Sequence, residues 1–167
     1  MNFFLHCFLG WHLVYLHRYE EAIVQLRRTL KSEPNFASAH LGLWGAFYKK
    51  RNYEAALREA TTFFASIGDG DVVELLRDGR SKTHYAKAMH RAADVLEVRA
   101  QKTYVPFVRI ARLHAHAGDE IRALASLEKA CDQREPPLVH VNVGWDWDVL
   151  RASARFQALR RRMGFPE

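Results

Sequence analysis

The feature that most constrains this chain is a sequence element that occurs twice at a fixed distance. Arg18-Tyr19-Glu20-Glu21-Ala22 returns as Asn52-Tyr53-Glu54-Ala55-Ala56, so that Tyr19/Tyr53, Glu20/Glu54 and Ala22/Ala56 are each offset by 34 residues. Self-similarity at this spacing marks a stacked repeat, in which one helical hairpin cannot bury its apolar face alone. Each copy reads as a turn followed by the start of a second helix. The acidic residues fall in the first turn of that helix, where its dipole favours them. The alanine is small enough to let two antiparallel helices approach closely. Pro34 should stop the second helix of the first copy, because proline cannot continue the hydrogen-bond ladder.

Further along, Asp71-Val72-Val73-Glu74 has the form of a capping box opening a short helix, with Gly79 as its expected break. From Tyr85 to Gln101 the spacing of Ala88, Ala92, Val95 and Leu96 is helical. Val105-Pro106 is expected to open the next helix with Pro106 in its first position. Gly118-Asp119 marks a turn, and 148–163 is expected to form a closing helix. Cys131 reads as a small apolar residue of a helix. The apolar segment Met1–Leu16 has no basic leader region, contains His6 and His12, and is too short to span a membrane. It reads as a core helix.

The residues at these positions resemble the tetratricopeptide repeat family. The first copy carries Leu9, Gly10, Ala22, Leu26 and Pro34. The second carries Leu43, Phe47, Ala56 and Phe63, with Trp44 where a small residue is usual, which should widen the packing there. A later copy carries Phe107, Ala111, Ala123, Leu127 and Ala130. Asp148-Val149-Leu150-Arg151 and Arg155-Phe156-Gln157-Ala158-Leu159 are similar to the ending of a bacterial branch that follows winged-helix, nucleotide-cyclase or kinase domains, with Val149 and Ala154 at the usual proline positions. The resemblance implies an all-α, right-handed superhelix of about three and a half hairpins with a C-terminal capping helix. It would form a single domain over 1–167, with repeats at about 3–36, 37–70, a degenerate 71–103 and 104–136, and a cap at 137–167. It also implies a protein-binding or scaffold role, and a family of this kind is specific for fold and poor for function.

In such a repeat the first helix of each pair lines the groove. This points to Phe4, Phe8, Trp11 and Tyr15 in the first copy, beside Cys7, and to Tyr48 and Lys49 in the second, beside Leu41 and Gly45. The family's carboxylate-clamp positions hold Cys7, Trp11 and Gly42 here, so that clamp is not expected. Arg109, Arg112 and His116 share one helix face and suit an acidic peptide, since guanidinium groups bind carboxylates bidentately. The expected partner is therefore a protein or an acidic or apolar peptide, with self-association to a homodimer through the apolar N-terminal hairpin as a specific version. An apolar end is not the polar cap that a stack needs.

The net charge of +6, from 25 Lys+Arg and 19 Asp+Glu, favours acidic partners. The alternative reading is nucleic-acid binding by Arg151, Arg155 and Arg160-Arg161-Arg162, but no recognition motif or stacking platform accompanies them. The nine histidines show no ligand spacing, and Gly68-Asp69-Gly70-Asp71 fails as a calcium loop. No metal or cofactor is expected. No nucleophile elbow, phosphate loop or carboxylate pair is visible, which argues against an enzyme. Two cysteines provide no disulfide framework, and the cytoplasm is the expected compartment.

Overall fold

A computed structural model describes residues 2–77 and 81–165. All regular structure among them is helical: α1 (Phe3–Tyr15), α2 (Tyr19–Ser32), α3 (Ala37–Lys49), α4 (Tyr53–Ser66), α5 (Gly70–Leu76), α6 (Lys82–Ala100), α7 (Phe107–Ala117), α8 (Glu120–Asp132) and α9 (Ala154–Arg162), with 3-10 turns at Pro136–His140 and Trp145–Leu150. The helix break expected at Gly79 lies outside the described residues. No described helix is long and apolar enough to cross a membrane.

Packing separates two compact units, Met1–Ala88 and Met89–Glu167. In the first, α1 pairs with α2, α3 pairs with α4, and α3 also packs on α1 and α2. In the second, α7 pairs with α8, against which α9 packs. One turn is used repeatedly, and its first two copies stand 34 residues apart. His17, Arg51 and Gly118 all take the left-handed conformation, with φ of 60°, 59° and 84°. The following N–H groups reach back five residues: Arg18 to Leu13, Asn52 to Phe47 and Asp119 to His114. This closure satisfies carbonyls left open at a helix end. The next residue then opens the second helix. Asn52 and Asp119 do so by accepting from the N–H groups of Ala55 and Arg122 at 3.1 and 3.0 Å.

The first unit closes around Leu26, Leu43, Trp44, Phe64, Leu76 and Tyr85, all fully buried. Gly10 of α1 lies directly against Leu26 of α2. A methyl group added there would lie 2.5 Å from Leu26 Cγ and 2.7 Å from Cδ2. Leu26 has no solvent to swing into. Gly10→Ala should gain about 1 kcal/mol of helix propensity yet lose about 1–3 kcal/mol to overpacking, a net destabilisation measurable by urea unfolding. In a Leu26→Ala background the same substitution should become neutral or stabilising, and an unchanged penalty there would refute the contact.

Trp44 is accommodated by a hydrogen bond and by ring contacts. Its Nε1–H donates to the Tyr85 hydroxyl at 2.6 Å, and its ring meets Phe63 and Phe64 at centroid distances of 6.1 Å. His40 joins α3 to α4: Nδ1 lies 2.7 Å from Glu59 Oε2 and Nε2 lies 2.9 Å from the Pro34 carbonyl. Both nitrogens can donate only when the ring is protonated. Although burial opposes that state, the Glu59 and Pro34 bonds outweigh it and hold the His40 pKa above its ordinary value.

Three expected boundaries shift. α5 opens at Gly70 rather than at Asp71, because Gly68 closes α4 in the left-handed region and the chain restarts at once with Asp69 in the cap position. Pro106 sits just before α7, its ψ of 120° being extended rather than helical. The segment 148–163 is not one helix. A 3-10 turn ends at Leu150 and α9 begins at Ala154. Arg151 holds the break, donating to the carbonyls of Asn142 and Gly144 at 2.6 and 3.1 Å.

Candidate functional site

α1 carries the first candidate surface. Its sequence, FFLHCFLGWHLVY, is apolar around most of the helix, and such a helix is ordinarily covered on all sides. Cys7, Gly10, Leu13 and Val14 face α2 and the core, and burial raises the Cys7 thiol to about 11. On the opposite side Leu5 and Phe8 are 63% and 61% exposed, and Phe4 and Leu9 are nearly half exposed. Phe4 stacks on Phe3 at 4.2 Å, and both meet Phe36 edge-on.

The remaining aromatic candidates are separately engaged. Trp11 is half-buried, donates Nε1–H to the Ser38 carbonyl at 2.9 Å and meets Tyr15 edge-on. Tyr48 stacks on Tyr85 at 5.6 Å, with Tyr53 beside both rings. Lys49 is half-buried at the end of α3. Cys7, Leu41 and Gly45 are buried, so they line no open surface.

The second candidate surface, on α7, has its anion supplied by the chain itself. Arg112 Nε donates to Asp146 Oδ2 at 2.8 Å, and His116 Nε2 donates to Oδ1 at 2.7 Å. Asp146 is brought there by the 3-10 turn Trp145–Leu150 packing on α7. The His116 side chain is fully buried and that of Asp146 nearly so. Burial alone would raise the Asp146 carboxyl, but the charge of Arg112 and the His116 bond prevail and hold it at about 2. It is therefore a fixed anion at neutral pH and no proton donor. Arg109 is half-buried one turn earlier on α7.

A further cluster joins α6, α7 and the start of α8. His114 is fully buried, and its Nε2 lies 2.9 Å from Glu97 Oε1. Arg122 bonds both Glu97 and Asp94. Burial, together with the Arg122 charge, holds the His114 pKa below its ordinary value against the opposing Glu97 bond, so the ring is neutral near pH 7. His90 and Asp119 lie beside it. The sequence showed none of this, because the three elements are brought together only by helix packing.

One more glutamate organises α7. Glu135 is buried, and its carboxylate accepts from the N–H groups of Phe107 and Val108 at 2.6 and 3.0 Å. It caps a helix whose own cap position, Pro106, has no side-chain acceptor. The basic residues of α9 are partly neutralised. Arg155 forms a two-bond pair with Glu128 at 2.6 Å, and Arg162 meets Asp132 at 3.1 Å. Comparison with known protein families, curated proteins and solved structures finds no match for this chain.

Proposed function

We propose that this chain is a helical-repeat interaction module that associates with a second copy of itself through the outer face of α1. The observation that carries the reading is the contiguous exposure of Phe4, Leu5, Phe8 and Leu9 on one helix. Exposed apolar clusters of this kind mark interaction surfaces. A self-pairing is favoured because the chain has no Lys, Arg, Asp or Glu before Arg18. Two copies of α1 can therefore meet across a two-fold axis without opposing like charges. The repeated hairpins and the 34-residue period support the finer reading as a tetratricopeptide-type superhelix with a scaffold role. The face of Arg112 and His116 supports it less, since a peptide carboxylate would have to displace Asp146.

Light scattering over a wide concentration range should give the mass of a dimer. Phe8→Glu, at an exposed position, should weaken dimerisation by about tenfold or more, as loss of an interface anchor does, while leaving helicity intact. A chain monomeric at every concentration would overturn the reading, as would a dimer indifferent to Phe8→Glu. Binding of another apolar partner by a monomeric chain would count against self-pairing.

A further inference from the structure

His90 of α6, His114 of α7 and Asp119 at the start of α8 each offer one metal-ligand atom, and these atoms lie within 4.8 Å of one another. Such proximity is common on protein surfaces and by itself means little. The state of His114 makes the difference. Its side chain is fully buried, Nε2 is taken by Glu97, and Nδ1 has no hydrogen-bond partner among the described residues. A buried polar atom without a partner is costly and calls for an explanation.

The Glu97 bond also decides the tautomer. A carboxylate accepts, so the proton lies on Nε2 and the lone pair on Nδ1. Metal-bound histidines are held in this way, with the second ring N–H given to a carboxylate that orients the ring and raises its basicity. Glu97 is in turn fixed by Arg122. The same guanidinium approaches His90, with Nη1 3.4 Å from Nε2. A lone pair on that nitrogen accepts from the guanidinium there and would have to turn from it to meet a cation.

The local charge suits a divalent cation. Asp94, Glu97 and Asp119 contribute three negative charges and Arg122 one positive, which leaves two negative charges around the two imidazoles. Two imidazoles and one carboxylate favour a first-row transition cation over magnesium or calcium. We propose that His90, His114 and Asp119 bind a divalent transition cation such as zinc, with Glu97 orienting His114 and water completing the coordination.

Bond lengths near 2.0–2.2 Å place tetrahedral ligand atoms about 3.3 Å apart. The half-exposed side chains of His90 and Asp119 would therefore close by roughly 1–1.5 Å onto the immobile His114 ring. Asp119 retains its cap in doing so, because one carboxylate oxygen suffices for the Arg122 N–H.

The site is tested by titrating the untagged full chain with Co²⁺ and following its visible ligand-field absorption, then displacing it with Zn²⁺ in a calorimeter. One equivalent should bind. His90→Ala should weaken binding at least tenfold, and so should Asp119→Asn, which preserves the helix cap. Glu97→Gln should weaken it by about 10–100-fold. His84→Ala and His140→Ala serve as controls and should bind as the unaltered chain does, with circular dichroism confirming the fold of each variant. Absence of one-equivalent binding would overturn the proposal. So would undiminished affinity in folded His90→Ala and Asp119→Asn, or a loss confined to the controls.

Discussion

Replacement of Asp146 by alanine is expected to destabilise the second unit by about 3–5 kcal/mol, the range for removing one partner of a buried ion pair. The Arg112 and His116 side chains are only 14% and 0% exposed, so without the carboxylate a guanidinium and an imidazole lose their acceptor with little access to water. Asp146→Asn keeps an acceptor oxygen and should cost less. Replacing Asp146, Arg112 and His116 together by apolar residues of similar size should also cost less than the single alanine change, because no uncompensated charge remains.

The pH dependence has a definite sign. Asp146 is held at about 2, below its ordinary 3.8, so the unfolded chain binds the proton more readily than the folded one. Its contribution is complete above pH 4 and is lost as pH falls toward 2. The difference corresponds to roughly 2 kcal/mol. Urea unfolding at pH 7 and pH 3 should show this decline in the native chain and a flatter one in Asp146→Asn. A loss below about 1 kcal/mol for Asp146→Ala would show that the cluster contributes no more than an exposed pair.

Glu135→Ala should have the second largest effect, about 2–4 kcal/mol, since it leaves two helix N–H groups of α7 without their acceptor at about 1–3 kcal/mol each. The carboxylate also faces the positive end of the helix dipole. Glu135→Gln retains one acceptor oxygen and should recover about half of the loss. Hydrogen exchange separates this effect from general destabilisation. The amides of Phe107 and Val108 should lose protection first in Glu135→Ala, whereas uniform loss along α7 would mean that the cap has no local role.

The distant cap from Glu135 also shows which parts of the molecule a linear reading can reach. The turn at Arg18–Ala22 and its copy at Asn52–Ala56 were legible because everything that makes them lies within a few residues: the left-handed closing residue, the acidic first turn and, in the second copy, the Asn52 cap. Gly118-Asp119 was legible for the same reason. The exposed side of α1 was also anticipated in part, since Phe4 and Phe8 stand on a helix too apolar to be a polar end cap. Boundaries failed where a distant contact sets them. The break between Leu150 and Ala154 depends on Arg151 reaching Asn142 and Gly144, and α7 starts after Pro106 with a cap 28 residues away.

Sequence alone therefore determined the helical hairpins, their period and the small residues at close approaches, because helix propensity, turn chemistry and side-chain size act over short stretches of chain. Tertiary structure alone decided which charges lie buried together. Arg112 and His116 had the right spacing for an external carboxylate, yet Asp146, 30 or more residues onward, reaches them first. His90, His114 and Asp119 had no shared spacing at all, yet helix packing brings them within 4.8 Å. Electrostatic and metal-ligand interactions depend on distance through space, and spacing along a chain reports that distance only within a single helix or turn.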